Sequence, residues 1–208
     1  MAYVPLDLPT SLPTPVGQVI RGPVEGYLHD VHWMLATTLP GGADGPGRQL
    51  QNPIAMTLLA TVAGVSTELF QAPKGTGTGT RFKDCLIHFF PWDVDPPSGV
   101  SNEEAAGILY DGFRNPMVHF LGLWNPLRTK LGIVFRGTED AEARVEDLER
   151  SNTNPYSDPF LVVTTEKRVL WLDQFYWDVR QMIQNWARDS DQMAGAHERI
   201  LTKSRTVR

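Results

Sequence analysis

The sequence predicts an α+β fold in which a mainly helical bundle is followed by a small antiparallel β-sheet and a C-terminal helix. Three observations lead to this prediction. Apolar residues recur at helical spacing through residues 24–124, and short β-branched and aromatic runs appear only after residue 130. The chain has 208 residues, which is long enough to bury one core. We therefore expect a single domain with appended elements.

Composition divides the chain into three parts. Residues 1–23 carry five prolines and little periodicity, which is typical of an extended arm that packs on the surface or is partly loose. Residues 24–188 are expected to form the domain, with a helical core at 24–124 and the sheet and last strong helix at 131–188. Residues 189–208 are polar with a basic end, which predicts a frayed helix or a disordered tail.

Start signals divide the helical core into five helices. Asn52-Pro53 and Asn115-Pro116 are both interpreted as helix starts, because Asn caps a helix and Pro fits its first position. The run from Ser101 to Glu104 is a capping box. The expected helices span about 24–39, 53–71, 80–90, 102–114 and 116–123.

The pattern changes after the fifth helix. Residues 131–136 are predicted to form a strand, and residues 138–150 are predicted to form a short exposed helix or a loop. Two further runs, 160–164 and 169–172, predict a hairpin. A last helix is expected at about 174–188, and its apolar face should pack against the sheet.

Charge and composition exclude several classes of protein. The net charge of −5 and pI of about 5.5 argue against a surface coated in nucleic acid, but they leave room for a small basic site. The single cysteine, Cys85, cannot form an intramolecular disulfide and is expected to be a buried hydrophobe. The first 17 residues lack a signal-peptide pattern, and no apolar run approaches ~20 residues. We therefore expect a cytoplasmic protein with no membrane contact.

The run Arg114-Asn115-Pro116-Met117-Val118-His119 carries the strongest functional signal. With Asn115 as N-cap, Arg114 would be N′ and His119 would be N4, the two positions that meet at a helix start. In an unbroken helix they would point about 140° apart, so the expected break is what brings them together. Free N–H groups and the helix dipole would make this end an anion site. The imidazole could then act as an acid or a base, and the guanidinium could hold a phosphate.

These residues resemble the Arg-x(4–6)-His motif of the HEPN superfamily, in its Arg-Asn-Pro-x-x-His version. The resemblance covers roughly residues 25–124, and it implies a helical bundle and a metal-independent endoribonuclease that needs no cofactor. Arg114 would bind the scissile phosphate, and His119 would activate the 2′-hydroxyl or protonate the leaving oxygen. Asn115 would orient the site or cap the helix. Asp111, Met117 and Val118 are expected to contact the substrate.

The resemblance also implies partners. Active members usually form homodimers in which two motifs face each other across a cleft that takes RNA. A toxin or phage-defence role is expected, with a possible antitoxin. Two alternatives stay open: a catalytically inactive HEPN-like module that binds a nucleotide, RNA or protein, and a scaffold whose motif serves only the dimer interface. In a purely structural interpretation of the motif, Arg114 would instead pair with an acid such as Asp111 or Glu104, and His119 would be a packing residue.

Other chemistry-bearing residues have simpler interpretations. The glycine-rich run 74–80 lacks the Gly-Lys-Ser/Thr of a phosphate loop. His29 and His32 have helical spacing but no second ligand set, so no metal is expected. His88 is expected in the core, and Glu68 on the surface. The aromatic residues Trp171, Phe175, Tyr176, Trp177 and Trp186 are expected in the core. Three arginines could face RNA or form a solvated face: Arg168, Arg180 and Arg188.

Overall fold

The computed structural model describes residues 2–37, 48–120, 130–134, 141–156 and 159–206. The helices are α1 (Thr14–Val19), α2 (Glu25–Ala36), α3 (Arg48–Glu68), α4 (Thr78–Phe89), α5 (Asn102–Gly107), α6 (Asn115–Phe120), α7 (Ala141–Arg150), α8 (Leu172–Arg188) and α9 (Ser190–Thr206). The strands are β1 (Lys130–Val134), β2 (Leu161–Val163) and β3 (Lys167–Trp171). Two π-helical segments, Ile20–Val24 and Ile108–Arg114, join α1 to α2 and α5 to α6. The predicted mainly helical α+β fold is confirmed.

The sheet is mixed, which corrects the expectation of a purely antiparallel one. Its strand order is β1-β3-β2, with β2 antiparallel to β3 and β1 parallel to it. A hairpin suffices to join antiparallel strands, whereas parallel neighbours need a long crossover. The long segment between β1 and β3 contains α7 and then β2, and β2, which runs antiparallel to both other strands, returns the chain to the end of the sheet where β1 began. The sheet therefore places β3 between the two other strands.

The core is centred on α8. The aromatic side chains Phe175, Tyr176, Trp177 and Trp186 are all buried and Trp171 is half-buried, so four of the five aromatic residues lie in the core as expected. Phe175 lies 6.0 Å from Phe160, ring to ring, and this contact joins α8 to the strand hairpin. The helix packs against α3, α4 and α9 as well, so the bundle and the sheet share one core.

The N-terminal arm is docked by side chains. Residues 2–13 lack helical structure, while the chain from Thr14 onward is helical, so the extended arm is shorter than predicted. The Glu149 carboxylate accepts a hydrogen bond from the Val4 N–H at 2.8 Å, and the Arg180 guanidinium donates to the Val4 carbonyl at 2.8 Å. Because the arm's backbone groups are satisfied by buried charged residues, it is part of the fold.

The C-terminal residues also fold against the domain. Residues 190–206 form α9, which packs on α1 and α8, and its Ala196 is fully buried. Of the two expectations for this segment, the helical one fits the structure. Within the described ranges, no helix has the length and apolar character needed to span a membrane.

Candidate functional site

The motif lies inside one continuous helix. The segments α5, Ile108–Arg114 and α6 follow one another without a break, and together they are called the motif helix below. Asn115 has φ −65° and ψ −47°, which are the angles of an ordinary helical residue. The predicted helix start at Asn115-Pro116 was therefore wrong, and Asn115 is not an N-cap.

A wide helical turn explains how the helix passes Pro116. Proline inside an α-helix lacks an N–H group, and its ring collides with the carbonyl four residues earlier. The π-helical segment just before Pro116 pairs residues five apart, which changes the position of that carbonyl. Pro23 likewise lies within a π-helical segment. The predicted start at Asn52-Pro53 was wrong in the same way, because α3 already begins at Arg48.

The unbroken helix changes what the motif offers within one chain. Positions 114 and 119 are about 140° apart around an α-helix axis, so their backbone positions face in different directions. The N–H groups near Asn115 belong to the helix interior, and the anion site expected from a helix start is not formed there. The side chains of Val118 and His119 lie outside the described part of the structure.

Arg114 is held in place by neutral groups. Its Nη1 donates to the Asn115 Oδ1 at 2.9 Å, and its guanidinium carbon lies 5.5 Å from the centroid of the Tyr110 ring. Both contacts orient the guanidinium without cancelling its charge. Over the described ranges, Arg114 forms no ion pair. Asn115 therefore orients Arg114, which is one of the two roles expected for it.

Asp111 pairs with a cation other than Arg114. The Lys83 Nζ of α4 lies 2.8 Å from the Asp111 Oδ2, and the Asn115 Nδ2 donates to the Asp111 Oδ1 over 3.4 Å. The alternative in which Arg114 pairs with Asp111 is therefore not the one formed. Asp111 does lie at the surface, as a substrate contact would require, but it lies there as the partner of Lys83.

Tyr110 packs against the start of α4. Its ring lies 5.2 Å from the Phe82 ring and 5.5 Å from the Lys83 Nζ. A Cβ atom at Gly79 would lie 2.8 Å from the Tyr110 Cε1, closer than van der Waals contact allows. The glycine-rich run therefore has a packing role at Gly79, because the missing side chain gives Tyr110 its place beside Arg114. The sequence carried no signal for this contact.

Met117 does not reach the surface. It is 1% exposed and belongs to the hydrophobic core. The expectation that Met117 contacts a substrate is corrected accordingly, since its side chain anchors the motif helix to the bundle. Arg114 and Met117 lie three residues apart, so anchoring one fixes the backbone of the other.

The sheet brings a second arginine to the motif helix. The Arg168 Nη1 lies 3.7 Å from the position that a Cβ atom would take at Gly112. Sequence reasoning grouped Arg168 with Arg180 and Arg188. The structure separates them, because Arg180 is buried against Val4 and Arg188 pairs with Asp7 at 3.1 Å.

The remaining candidates have structural partners. The His32 Nδ1 lies 2.9 Å from the Glu149 Oε1, and the His29 Nε2 accepts from the Trp33 indole at 2.9 Å. Burial raises the pKa of the Cys85 thiol to about 12, so the thiol stays protonated, as expected of a buried hydrophobe.

Two further expectations concern His88 and Glu68. His88 is exposed rather than in the core, and its Nδ1 donates to the Asp84 carbonyl at 2.7 Å. Glu68 is exposed as expected and pairs with Lys203 at 2.5 Å. Neither residue is part of the arrangement around Arg114.

Comparison with known proteins identifies no relative of this chain. No family model, curated protein or solved structure matches this chain. The basis for assigning a function is therefore the motif helix and the charged residues around it. Its central feature is a fixed, half-buried guanidinium on Arg114 that nearby acids do not neutralise.

Proposed function

We propose that this protein is a metal-independent endoribonuclease of the HEPN type, with Arg114 and His119 as its catalytic residues. The observation that supports the proposal is that Asp111 forms its ion pair with Lys83, so the Arg114 guanidinium keeps its charge available for a phosphate. A planar guanidinium binds phosphate with two parallel hydrogen bonds and offsets charge that develops during the reaction. Asn115 holds that group in place.

The reaction needs one proton to leave and one to arrive. The 2′-oxygen attacks the phosphorus, and the bond from phosphorus to the 5′-oxygen breaks. The proton of the 2′-hydroxyl passes to a base, and the leaving oxygen gains a proton from an acid. An imidazole performs either task near neutral pH. The products are a 2′,3′-cyclic phosphate and a 5′-hydroxyl.

A second copy of the chain completes the site in this proposal. Positions 114 and 119 diverge on the unbroken helix, so one chain does not direct both at the same phosphodiester. A two-fold axis next to the motif helix would set Arg114 of one protomer opposite the partner's His119. The dimer would then hold two equivalent sites. Cytoplasmic RNA would be the substrate, and a toxin or phage-defence role with a protein antitoxin would fit this activity.

The same helix favours a second candidate function. A module that binds RNA without cleaving it needs only the guanidinium and not a convergent imidazole. The continuous helix through Asn115 supports this alternative, because it turns Arg114 and position 119 of one chain in different directions, whereas catalysis within one chain needs both at the same phosphate.

A cleavage assay with matched variants separates the two functions. Wild-type protein with EDTA present should cleave single-stranded RNA and leave cyclic-phosphate ends. Arg114→Gln and His119→Ala should each lose this activity, whereas His88→Ala, at an exposed histidine on α4, should keep it. Cleavage that survives in His119→Ala would overturn the proposed enzyme. RNA binding without cleavage by the wild type would establish the second candidate.

Mixing two inactive variants tests the shared site. Combined and allowed to exchange subunits, Arg114→Gln and His119→Ala should recover about a quarter of wild-type activity, because half the dimers are mixed and each mixed dimer has one intact site. A mixture that stays inactive, although exchange is verified, would contradict a site built from two chains.

A further inference from the structure

Arg168 is held rigidly at the centre of the sheet. It lies on β3, whose backbone pairs with β1 at Leu131 and with β2 at Val163. A residue on a central strand has little freedom at its backbone, since both edges of the strand are hydrogen-bonded. The position of Arg168 is therefore set by the fold.

Arg168 points to the side of the sheet that faces the helices. Side chains alternate along a strand, so Arg168 shares a face with Leu170, which is fully buried. Its guanidinium extends to the motif helix, where the Nη1 lies 3.7 Å from the Cβ position of Gly112. Gly112 and Arg114 lie two residues apart on that helix, so they face different sides of it.

No group of the fold neutralises this cation within the described ranges, where the Arg168 side chain forms neither a hydrogen bond nor an ion pair. By contrast, Arg144, Arg150 and Arg188 each face a carboxylate. A half-buried guanidinium without a counter-ion is unfavourable, because burial removes water that would otherwise solvate it. A ligand anion at this position would remove that cost.

We propose that Arg168 binds a second phosphate of the same RNA strand, on the other side of the motif helix from the phosphate held by Arg114. This inference rests on the proposed function, and it gives the sheet a role that the helical motif alone does not supply. Around the helix axis the exposed Asp111 and the half-buried Asn115 lie between Gly112 and Arg114, so the strand would cross the motif helix over these two residues. Two guanidinium groups that extend from set positions of the backbone would define the register of the RNA relative to the scissile bond.

Salt-dependent binding to a non-cleavable RNA tests the site apart from catalysis. The probe is a fluorescein-labelled, fully 2′-O-methylated single strand of about 16 nucleotides, measured by anisotropy between about 50 and 200 mM salt. The loss of one phosphate contact in Arg168→Gln should weaken binding about 3- to 10-fold and reduce the slope of log K against log salt by about 0.7. Arg205→Gln removes the same charge from an exposed position near the end of α9 and should leave the slope unchanged.

A second variant keeps the test independent of folding. Space exists beside Gly112, since a Cβ atom there would make only ordinary contacts. Gly112→Glu should place a carboxylate against Arg168 and reduce the slope as Arg168→Gln does. Gly112→Gln has nearly the same size and no charge, so it should keep the wild-type slope. Arg168→Lys should keep the slope as well, because the charge remains.

The outcomes separate this inference from the proposed enzyme. Reduced slopes in Arg168→Gln and Gly112→Glu would support the second phosphate site even if the wild type proved unable to cleave RNA. Wild-type slopes in both variants would overturn the inference and leave the cleavage activity to be judged by its own assay. Equal competition by inorganic phosphate and by RNA, at matched phosphate concentration, would also overturn it, because it would mark a free-anion site.

Discussion

Lys83 and Asp111 form an ion pair beside the motif, with the Lys83 Nζ 2.8 Å from the Asp111 Oδ2. The pair joins α4 to the motif helix. It also neutralises the Asp111 carboxylate near Arg114, which if unpaired would attract the guanidinium or repel a phosphate. An ion pair of this kind contributes little to stability, but its position gives it an electrostatic role.

We predict that Lys83→Gln weakens RNA binding about fivefold, because an unpaired carboxylate near a phosphate costs about 1 kcal/mol. Stability should change by less than about 1 kcal/mol. Anisotropy with the non-cleavable RNA measures the first effect and chemical denaturation the second. Lys203→Gln, which removes the lysine of the Lys203–Glu68 pair on α9, is the matched control. Adding Asp111→Asn to Lys83→Gln should restore most of the affinity, and an unrestored double variant would contradict this explanation.

Gly79→Ala should destabilise the fold by about 1–3 kcal/mol, because the added Cβ atom would lie 2.8 Å from the Tyr110 ring. Gly64→Ala on α3 is the matched control, since its added Cβ meets no atom within 4 Å. It should stabilise the protein by about 0.5–1 kcal/mol, because alanine loses less backbone freedom in a helix. Urea denaturation of both variants measures whether the free energy of unfolding falls in Gly79→Ala and rises in Gly64→Ala. Equal effects would show that Tyr110 moves aside without cost.

Glu149→Ala should cost about 3–5 kcal/mol, because it leaves buried groups without their common partner. The carboxylate accepts hydrogen bonds from the Tyr176 hydroxyl at 2.5 Å and the Val4 N–H at 2.8 Å, and it lies 3.8 Å from the Arg180 Nη1. Glu149→Gln keeps the shape and should cost less. Glu146 of the same helix, whose side chain is 25% exposed, provides the comparison: within the described residues Glu146→Ala loses its pair with Arg150, and it should change stability by less than about 1 kcal/mol.

The Glu149 prediction also concerns the N-terminal arm. If Glu149 docks the arm, limited proteolysis should cleave residues 2–13 faster in Glu149→Ala than in Glu146→Ala. Unchanged cleavage rates would show that the remaining contacts of the arm, such as the Asp7 N–H to the Gln184 amide oxygen at 2.7 Å, suffice to hold it.

Two buried carboxyl groups predict how stability depends on pH. Burial raises the pKa of Asp95 to about 6 from 3.8, and it raises the pKa of Asp178 well above the usual range, with the facing carboxyl adding to the Asp178 shift. From about pH 3.8 upward the unfolded chain releases these protons more readily than the native protein does, so the free energy of unfolding falls as pH rises to 6 and beyond.

Asp178→Asn should therefore stabilise the protein by about 1–3 kcal/mol at pH 7 and flatten its pH profile. An amide at this position can donate to the facing Asp95 carboxylate and carries no titratable proton. Denaturation curves from pH 4 to pH 8 test this. Asp93→Asn, at an exposed position in the turn that carries Asp95, is the control. A wild-type protein that becomes more stable between pH 4 and pH 7, or a variant with an unchanged profile, would contradict the assignment.

Sequence patterns predicted most of the helices because the apolar periodicity that marks them also buries them. The α2, α4 and α8 segments lie close to their expected ranges, and the aromatic residues of α8 are in the core as expected. The preference of Asn and Pro for helix starts gave wrong predictions at the two Asn-Pro pairs. Asn and Pro are favoured at helix starts, but a start also needs the preceding residues to leave the helix. In the structure the residues before Pro53 and Pro116 are already helical, and before Pro116 the helix is held by Phe113, which is buried in the core.

The sequence alone determined the helical class, the single core and the identity of the motif, because these depend on residue type and on spacing along the chain. Only the tertiary structure decided which charges stay unpaired. The assignment of Asp111 to Lys83, the placing of Arg168 against Gly112 and the burial of Arg180 all join residues at least 28 positions apart. Charge pairing depends on distance in space, which spacing in the sequence does not specify once the chain folds back on itself.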